Sequence, residues 1–193
     1  MRFPDVVLRL PDWVAAFLPD PDRAFPSAED RMDLAVELAR LNVEHGTGGP
    51  FGAGVFERES GRLLSLGVNL VVPARCSSAH AEIVAIAIAQ EVLGHYDLGS
   101  TPAPTYELVA STEPCAMCLG AVYWSGVRGL VCGARDEDAR AVGFDEGPKP
   151  PDWVQSLERR GIAVLQDVLR DRARAVLVQY RDAGGPLYNA RQG

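Results

Sequence analysis

The sequence predicts a three-layer α/β fold, a mixed sheet of five short strands flanked by helices. Three observations predict it. Stretches with apolar residues at helical spacing alternate with short apolar runs bounded by Gly and Pro, in the order helix, hairpin, helix, strand, helix, strand, helix, edge strand, terminal helix. The 193 residues are 47% hydrophobic, enough to bury the core of one domain without staples. Neither an internal repeat nor a low-complexity segment interrupts the order.

Residues 1–26 carry Pro4, Pro11, Pro19, Pro21 and Pro26, too many for a long helix. Their short apolar pieces (Val6-Val7-Leu8, Trp13-Val14, Phe17-Leu18) read as an arm packed on the body. Ser27, followed by Glu29 and Asp30, marks a helix start, and Met32, Ala35, Val36, Ala39 and Val43 carry that helix to Gly46. After the turn Gly48-Gly49-Pro50, Phe51 to Phe56 and Leu63 to Val72 are the hairpin strands, joined through Gly61 and closed by Pro73. Ala79 to Leu93 is apolar almost throughout, a mostly buried helix with His80 in its first turn. A Gly/Pro-rich loop over 94–104 leads to a strand at Tyr106 to Ala110. The next helix holds Cys115 and Cys118, runs through Trp124 and stops at Gly126. Arg128 to Cys132 is a strand, Ala134 to Val142 a short helix, and Phe144 to Pro148 a turn-rich loop. Trp153 to Arg160 is helical with Gly161 as its cap, and Ile162 to Leu165 is an edge strand. Leu169, Ala173, Val176, Leu177 and Tyr180 stripe the last helix, which Gly184-Gly185-Pro186 breaks before the tail Leu187-Tyr188-Asn189-Ala190.

Chemistry concentrates in two places. Cys115 and Cys118, three apart, share a helix face and can grip one ion. Pro114 suits the helix start, and the positive end of the helix dipole favours the thiolate a metal needs. His80-Ala81-Glu82 adds an imidazole and a carboxylate. One histidine and two cysteines are three ligands where zinc takes four, and no second C-x-x-C supplies the rest. The pattern therefore favours an open site, with a bound water of pKa near ~7 and Glu82 as general acid and base. Taken singly, C-x-x-C also fits a redox pair or two buried cysteines, His80 a core histidine, and Glu82 a solvated helix residue. Their joint order, with Pro114 in place, favours the metal site. Residues two apart on a helix point in roughly opposite directions, so helix geometry alone does not bring His80 and Glu82 to one ion.

Composition bounds the partners. Acids outnumber bases 26 to 19 for a net charge of −7, and Lys149 is the only lysine. A polynucleotide-binding face needs phosphate-neutralising side chains, so nucleic acid is not the expected partner. Arg170, Arg172 and Arg174 scatter round a helix beside Asp167 and Asp171 and read as a solvated surface. A small neutral ligand suits this balance. With no signal peptide and no apolar run of membrane length, a cytoplasmic chain with reduced thiols is expected. Cys76 and Cys132 are expected as buried small hydrophobes, and His45 and His95 are not expected as ligands.

Combined, His80-x-Glu82 and Pro114-Cys115-x-x-Cys118 resemble the zinc-deaminase signature. Residues 28–166 resemble the cytidine deaminase superfamily, which implies the cytidine-deaminase-like fold. Bacterial tRNA adenosine deaminases share the run Cys115 to Ala121, but their partner is RNA. Bacterial guanine deaminases of this fold are more similar, in the turn 48–51, Asn69, the segment Phe144 to Pro148 and the long C-terminal extension through residues 188–190. The resemblance implies a single zinc deaminase domain over 1–193: an arm (1–26), a core (28–166), and a C-terminal helix and tail (167–193). It implies one zinc per subunit on His80, Cys115 and Cys118, with Glu82 activating water. Asn69 would bond the purine edge, and Glu146 would serve the leaving amine or hold the ring's N–H groups. Phe51, Trp124 and Phe144 would cover the ring faces, and Tyr188 would close the pocket, reaching across a homodimer with exchanged C-termini. The implied reaction is guanine to xanthine plus ammonia. Alternatives are other amino-heterocycles, such as ammeline-type triazines, cytosine, guanosine or another nucleoside, or a non-catalytic zinc-stabilised domain. From the residues alone, Asn69 also fits a turn and Glu146 a solvated loop. Phe51, Phe144 and Trp124 singly fit a core, and Tyr188 fits packing within a monomer.

Overall fold

A computed structural model describes residues 2–18, 20 and 23–189; Pro19, Pro21 and Ala190 lie outside them. The arm forms one short helix, α1 (Asp12–Phe17), and lays Leu8, Leu10, Trp13, Phe17 and Leu18 on the core. α2 (Ala28–Glu44) opens on a capping box. Ser27 Oγ accepts the Asp30 N–H at 3.0 Å, and the Asp30 carboxylate accepts the Ser27 N–H at 3.2 Å.

The hairpin is β1 (Gly52–Glu57) and β2 (Leu63–Val68), paired antiparallel. β2 ends four residues short of the expected Val72. Asn69 Oδ1 accepts the Val71 N–H at 3.3 Å and turns the chain into α3 (Val71–Ala74). Pro73 sits in that first turn, where an N–H has no intrahelical partner to lose. α4 (Ala81–Leu93) follows with His80 at its N-cap, not in its first turn. Then come β3 (Tyr106–Thr112), α5 (Ala116–Ser125), β4 (Gly129–Ala134), α6 (Asp136–Ala141), α7 (Trp153–Glu158), β5 (Ala163–Leu165) and α8 (Arg170–Asp182). Cys115 is the N-cap of α5, so Pro114 lies one residue outside the helix, not at its first position.

The strand order is β2-β1-β3-β4-β5, with β1 antiparallel to both neighbours and β3, β4 and β5 parallel. This is the mixed five-stranded sheet expected. Alternating side chains feed two cores. Phe56, Val109 and Val131 pack with α2, α6 and α8; Val55, Leu108 and Leu130 pack with α4, α5 and α7. Helices sit close to the hairpin because glycines admit them: a Cβ at Gly52 would stand 2.3 Å from Ala35 O, and one at Gly67 2.1 Å from Ala81 O. At the opposite end from the site's helix caps, Arg31 pairs with Glu107 at 2.5 Å, both side chains under 10% exposed, and its Nε donates to Phe25 O. Among the described residues no helix is long and apolar enough to cross a membrane.

Candidate active site

The α4 and α5 N-termini meet over the sheet. His80 caps α4 in an extended conformation (φ −72°, ψ 156°), and Cys115 caps α5 likewise (φ −62°, ψ 173°). Cys118 is three residues into α5. The His80, Cys115 and Cys118 donor atoms lie within 4.8 Å of one another, with Cys115 Sγ 3.6 Å from His80 Nδ1. The N-cap conformation explains a convergence that helix periodicity forbids: His80 stands outside the helix, and Glu82 inside its first turn, so both side chains reach one place.

The charges there are strained against burial. Burial pushes the Glu82 carboxyl up to about 7, with the neighbouring Cys115 adding to the rise. Glu146 is pushed up to about 8, again by burial first, then by Cys115 and Glu82. Hydrogen bonding from Cys118 and His80 draws Cys115 down to about 4, while the same pairing and burial raise Cys118 well above an ordinary thiol. For His80, burial works downward, but the Cys115 contact and Glu82 outweigh it and raise the imidazole. Two sulfurs and two carboxyls in one buried place call for a positive centre.

His80, Glu82, Cys115 and Glu146 line a cavity of about 340 Å³, with Cys118 fully buried behind them; Asn69 is not among its lining residues. Phe51, Phe144 and Tyr188 form its apolar wall, with Phe51 and Phe144 edge-to-face at 5.0 Å and Phe144 and Tyr188 at 5.3 Å. The tail reaches it over Gly49, where a Cβ would stand 2.3 Å from Tyr188 Oη. Asn189 pins the tail, its side chain accepting from Asp145 N and donating to Gly143 O. Tyr188 Oη and Asn69 Nδ2 are buried without a hydrogen-bond partner among the described residues. Asn69 is fully enclosed; its backbone oxygen accepts from Asn42 Nδ2, and its backbone N–H donates to Phe51 O.

Trp124 is a correction. It is 85% exposed and lies beside Ile83, Ile86 and Gln90 on the outside of α4 and α5, away from the cavity. Six residues beyond Cys118 at roughly 100° each, it has turned about 240° round the helix. Cys76 is half-exposed against Ser78 Oγ, not buried, whereas Cys132 is fully buried. His45 stacks on Trp13 and His95 on Tyr96, apart from the site as expected. Ser77, Met117, Asp145 and Asn189 also line the cavity, and no pattern in the sequence singles them out. Glu113 lines it too; its place directly before Pro114-Cys115 is the available signal.

This fold and this set of groups define an aminohydrolase of the zinc-binding deaminase class. Residues 26–134 match the cytidine and deoxycytidylate deaminase zinc-binding region, more than half of the chain, and the chain belongs to that family. Guanine deaminase of Bacillus subtilis (strain 168) is 41% identical over 143 residues, 74% of this chain and 87% of that protein. The structure of NE0047 in complex with 2,6-diaminopurine is 50% identical with a TM-score of 0.89, over 97% of this chain and 98% of that one. That of guanine deaminase from Nitrosomonas europaea is 48% identical with a TM-score of 0.87, over 94% and 100%.

Proposed function

We propose that this chain hydrolyses guanine to xanthine and ammonia, with one zinc ion held by His80 Nδ1, Cys115 Sγ and Cys118 Sγ. The observation that carries the reading is the convergence of these three donors beside a cavity lined by two buried carboxyls, Glu82 and Glu146. The donor set fits the ion. A sulfur at about 2.3 Å and a nitrogen at about 2.0 Å from one tetrahedral zinc would stand ~3.5 Å apart, close to the 3.6 Å between Cys115 Sγ and His80 Nδ1. Zinc bound there lowers the pKa of a coordinated water and so makes a nucleophile available at neutral pH.

The chain's own groups do the rest. With a divalent cation on these donors, Glu82, which contacts Cys118, would be held in its ionised form. Glu82 is then the ionised base that takes the water's proton and returns it to a ring nitrogen of guanine. Glu146, whose burial favours the protonated form, donates to the departing amine. That donation matters because the amine belongs to a guanidine-like system and leaves poorly as an anion. Asn69 does not line the cavity; its Nδ2, a buried donor without a partner among the described residues, is assigned to an acceptor on the base edge. Phe51 and Phe144 supply apolar faces for a flat ring, and Tyr188 closes the cavity against water. The relatives named above include two guanine deaminases and a protein bound to an aminopurine, which supports a purine base as substrate.

The reading includes a single working unit, 1–193, in the cytoplasm with its thiols reduced, and a homodimer exchanging tails hinged at Gly184-Gly185-Pro186. Tyr188 here sits in its own chain's cavity, and exchange would put a partner's tyrosine in the same seat. The test is ammonia release from guanine, guanosine, cytosine, cytidine, adenosine and ammeline. Guanine should give the highest kcat/KM; a flat response, or preference for a nucleoside, would overturn the substrate assignment.

A further inference from the structure

The only lysine of this chain is buried. Lys149 has a side chain 8% exposed, lies over the Trp153 ring at 5.3 Å, and stands 2.9 Å from Asp136 Oδ1 and 3.4 Å from Glu113 Oε2. Glu113 is itself 6% exposed and immediately precedes Pro114-Cys115. Its other contacts are Gln166 Nε2, donating to Oε1 at 2.5 Å, and the Asp136 N–H, donating to Oε2 at 3.1 Å. One buried carboxylate and one buried ammonium thus join the approach to α5, the start of α6, the segment after β5 and the loop between α6 and α7. Desolvating such a pair and ordering a lysine stem are costly for stability. Ordinary surface pairing, which serves the arginines of α8, would not need it.

Glu146 is three residues before Lys149, so the two Cα atoms are at most about 11 Å apart. Pro148 and Pro150 flank the lysine and stiffen that short connection. The Glu146 carbonyl accepts the Ala116 N–H at 2.9 Å, which lays the loop against the first turn of α5. Other side-chain ties of the loop, Arg140 to Gly147 O and to the Asp145 carboxylate, Asn189 to Asp145 N, and the Asp145 carboxylate to Gly147 N, are exposed.

We infer that Lys149, clamped by Glu113 and Asp136, is a positioning residue that holds Glu146 over the cavity. It touches no reacting atom and acts through the loop. The inference rests on the role given to Glu146 above, deepening it by naming what fixes that carboxyl relative to the cysteine-bearing helix.

The test is a double-mutant cycle with two readouts, kcat and amide hydrogen exchange at Ala116. Misplacing a catalytic group by an ångström can cost on the order of 10²-fold. Lys149→Met should lower kcat on that scale with zinc content unchanged, and should speed Ala116 exchange. Lys149→Arg, which can reach the same carboxylates, should restore most of both. In a Glu146→Gln background, Lys149→Met should cost less than about 2-fold, because residues acting through one another are not additive. An equal loss in both backgrounds, or unchanged Ala116 exchange, overturns the inference. If Lys149→Met does not fold, Lys149→Gln removes the cation and keeps a polar end; the same two readouts then support or overturn the inference by the same outcomes. Should Glu146→Gln alone keep the wild-type rate, the role of Glu146 fails, while exchange at Ala116 still decides whether Lys149 holds the loop.

Discussion

Tyr188→Phe separates a binding role from a packing role. The phenol ring lies between Phe144 and His80, and its hydroxyl is buried against Gly49 with no partner. A buried polar group left unpaired costs about 1–3 kcal/mol. Deleting the oxygen should therefore stabilise the ligand-free protein by up to that amount, less a small loss for the void. In a chain of this size each kcal/mol moves Tm by roughly 2–4 °C. Thermal melts of the metal-loaded variant should show Tm equal to wild type or raised by a few degrees. With substrate present the sign reverses. A hydroxyl that meets the base contributes about 0.5–1.5 kcal/mol, so KM for guanine should rise roughly 2- to 13-fold, with kcat little changed. A lower Tm with unchanged KM would refute the reasoning, because the hydroxyl would then have a partner in the protein and none in the substrate.

Two further outcomes follow from the same geometry. Glu82→Gln removes the carboxyl that moves the proton and leaves the three donor atoms untouched; kcat should fall by about 10²–10⁴-fold while elemental analysis finds the metal unchanged. In the first turn of α6, hydrogen bonds from Arg170 hold the Asp138 carboxyl below its ordinary value of 3.8. A depressed folded-state pKa means that this contribution is complete above the unfolded value and is lost as pH falls through the folded one. Denaturant melts of wild type and Asp138→Asn should differ by about 1.5–3 kcal/mol at pH 6, and the gap should narrow progressively as pH falls below 3.8.

The His80, Cys115 and Cys118 cluster was legible because imidazole and thiol side chains have few other reasons to occur in that order, and helix caps were legible because they are written locally. Ser27, Gly126 and Gly161 ended or began helices where their chemistry said they should. The convergence of His80 with Glu82 was not legible from periodicity, since it depends on His80 adopting the extended N-cap conformation, a tertiary outcome. Leu70, Val71 and Val72 extended an apolar run that looked like strand, but one side-chain bond from Asn69 turned it into a helical turn. Trp124 was misplaced because being aromatic and on the cysteine helix says nothing about helix face until the six-residue rotation from Cys118 is counted. The cluster around Lys149 joins segments from Glu113 to Gln166, and no local pattern announces a contact of that span.

X-ray absorption at the zinc edge of the purified protein tests the central claim most directly. The account predicts one zinc per chain with two sulfurs at about 2.3 Å and two nitrogen or oxygen neighbours at about 2.0 Å, of which one exchanges with solvent. A zinc-free protein, or a closed site with four protein ligands, would contradict it.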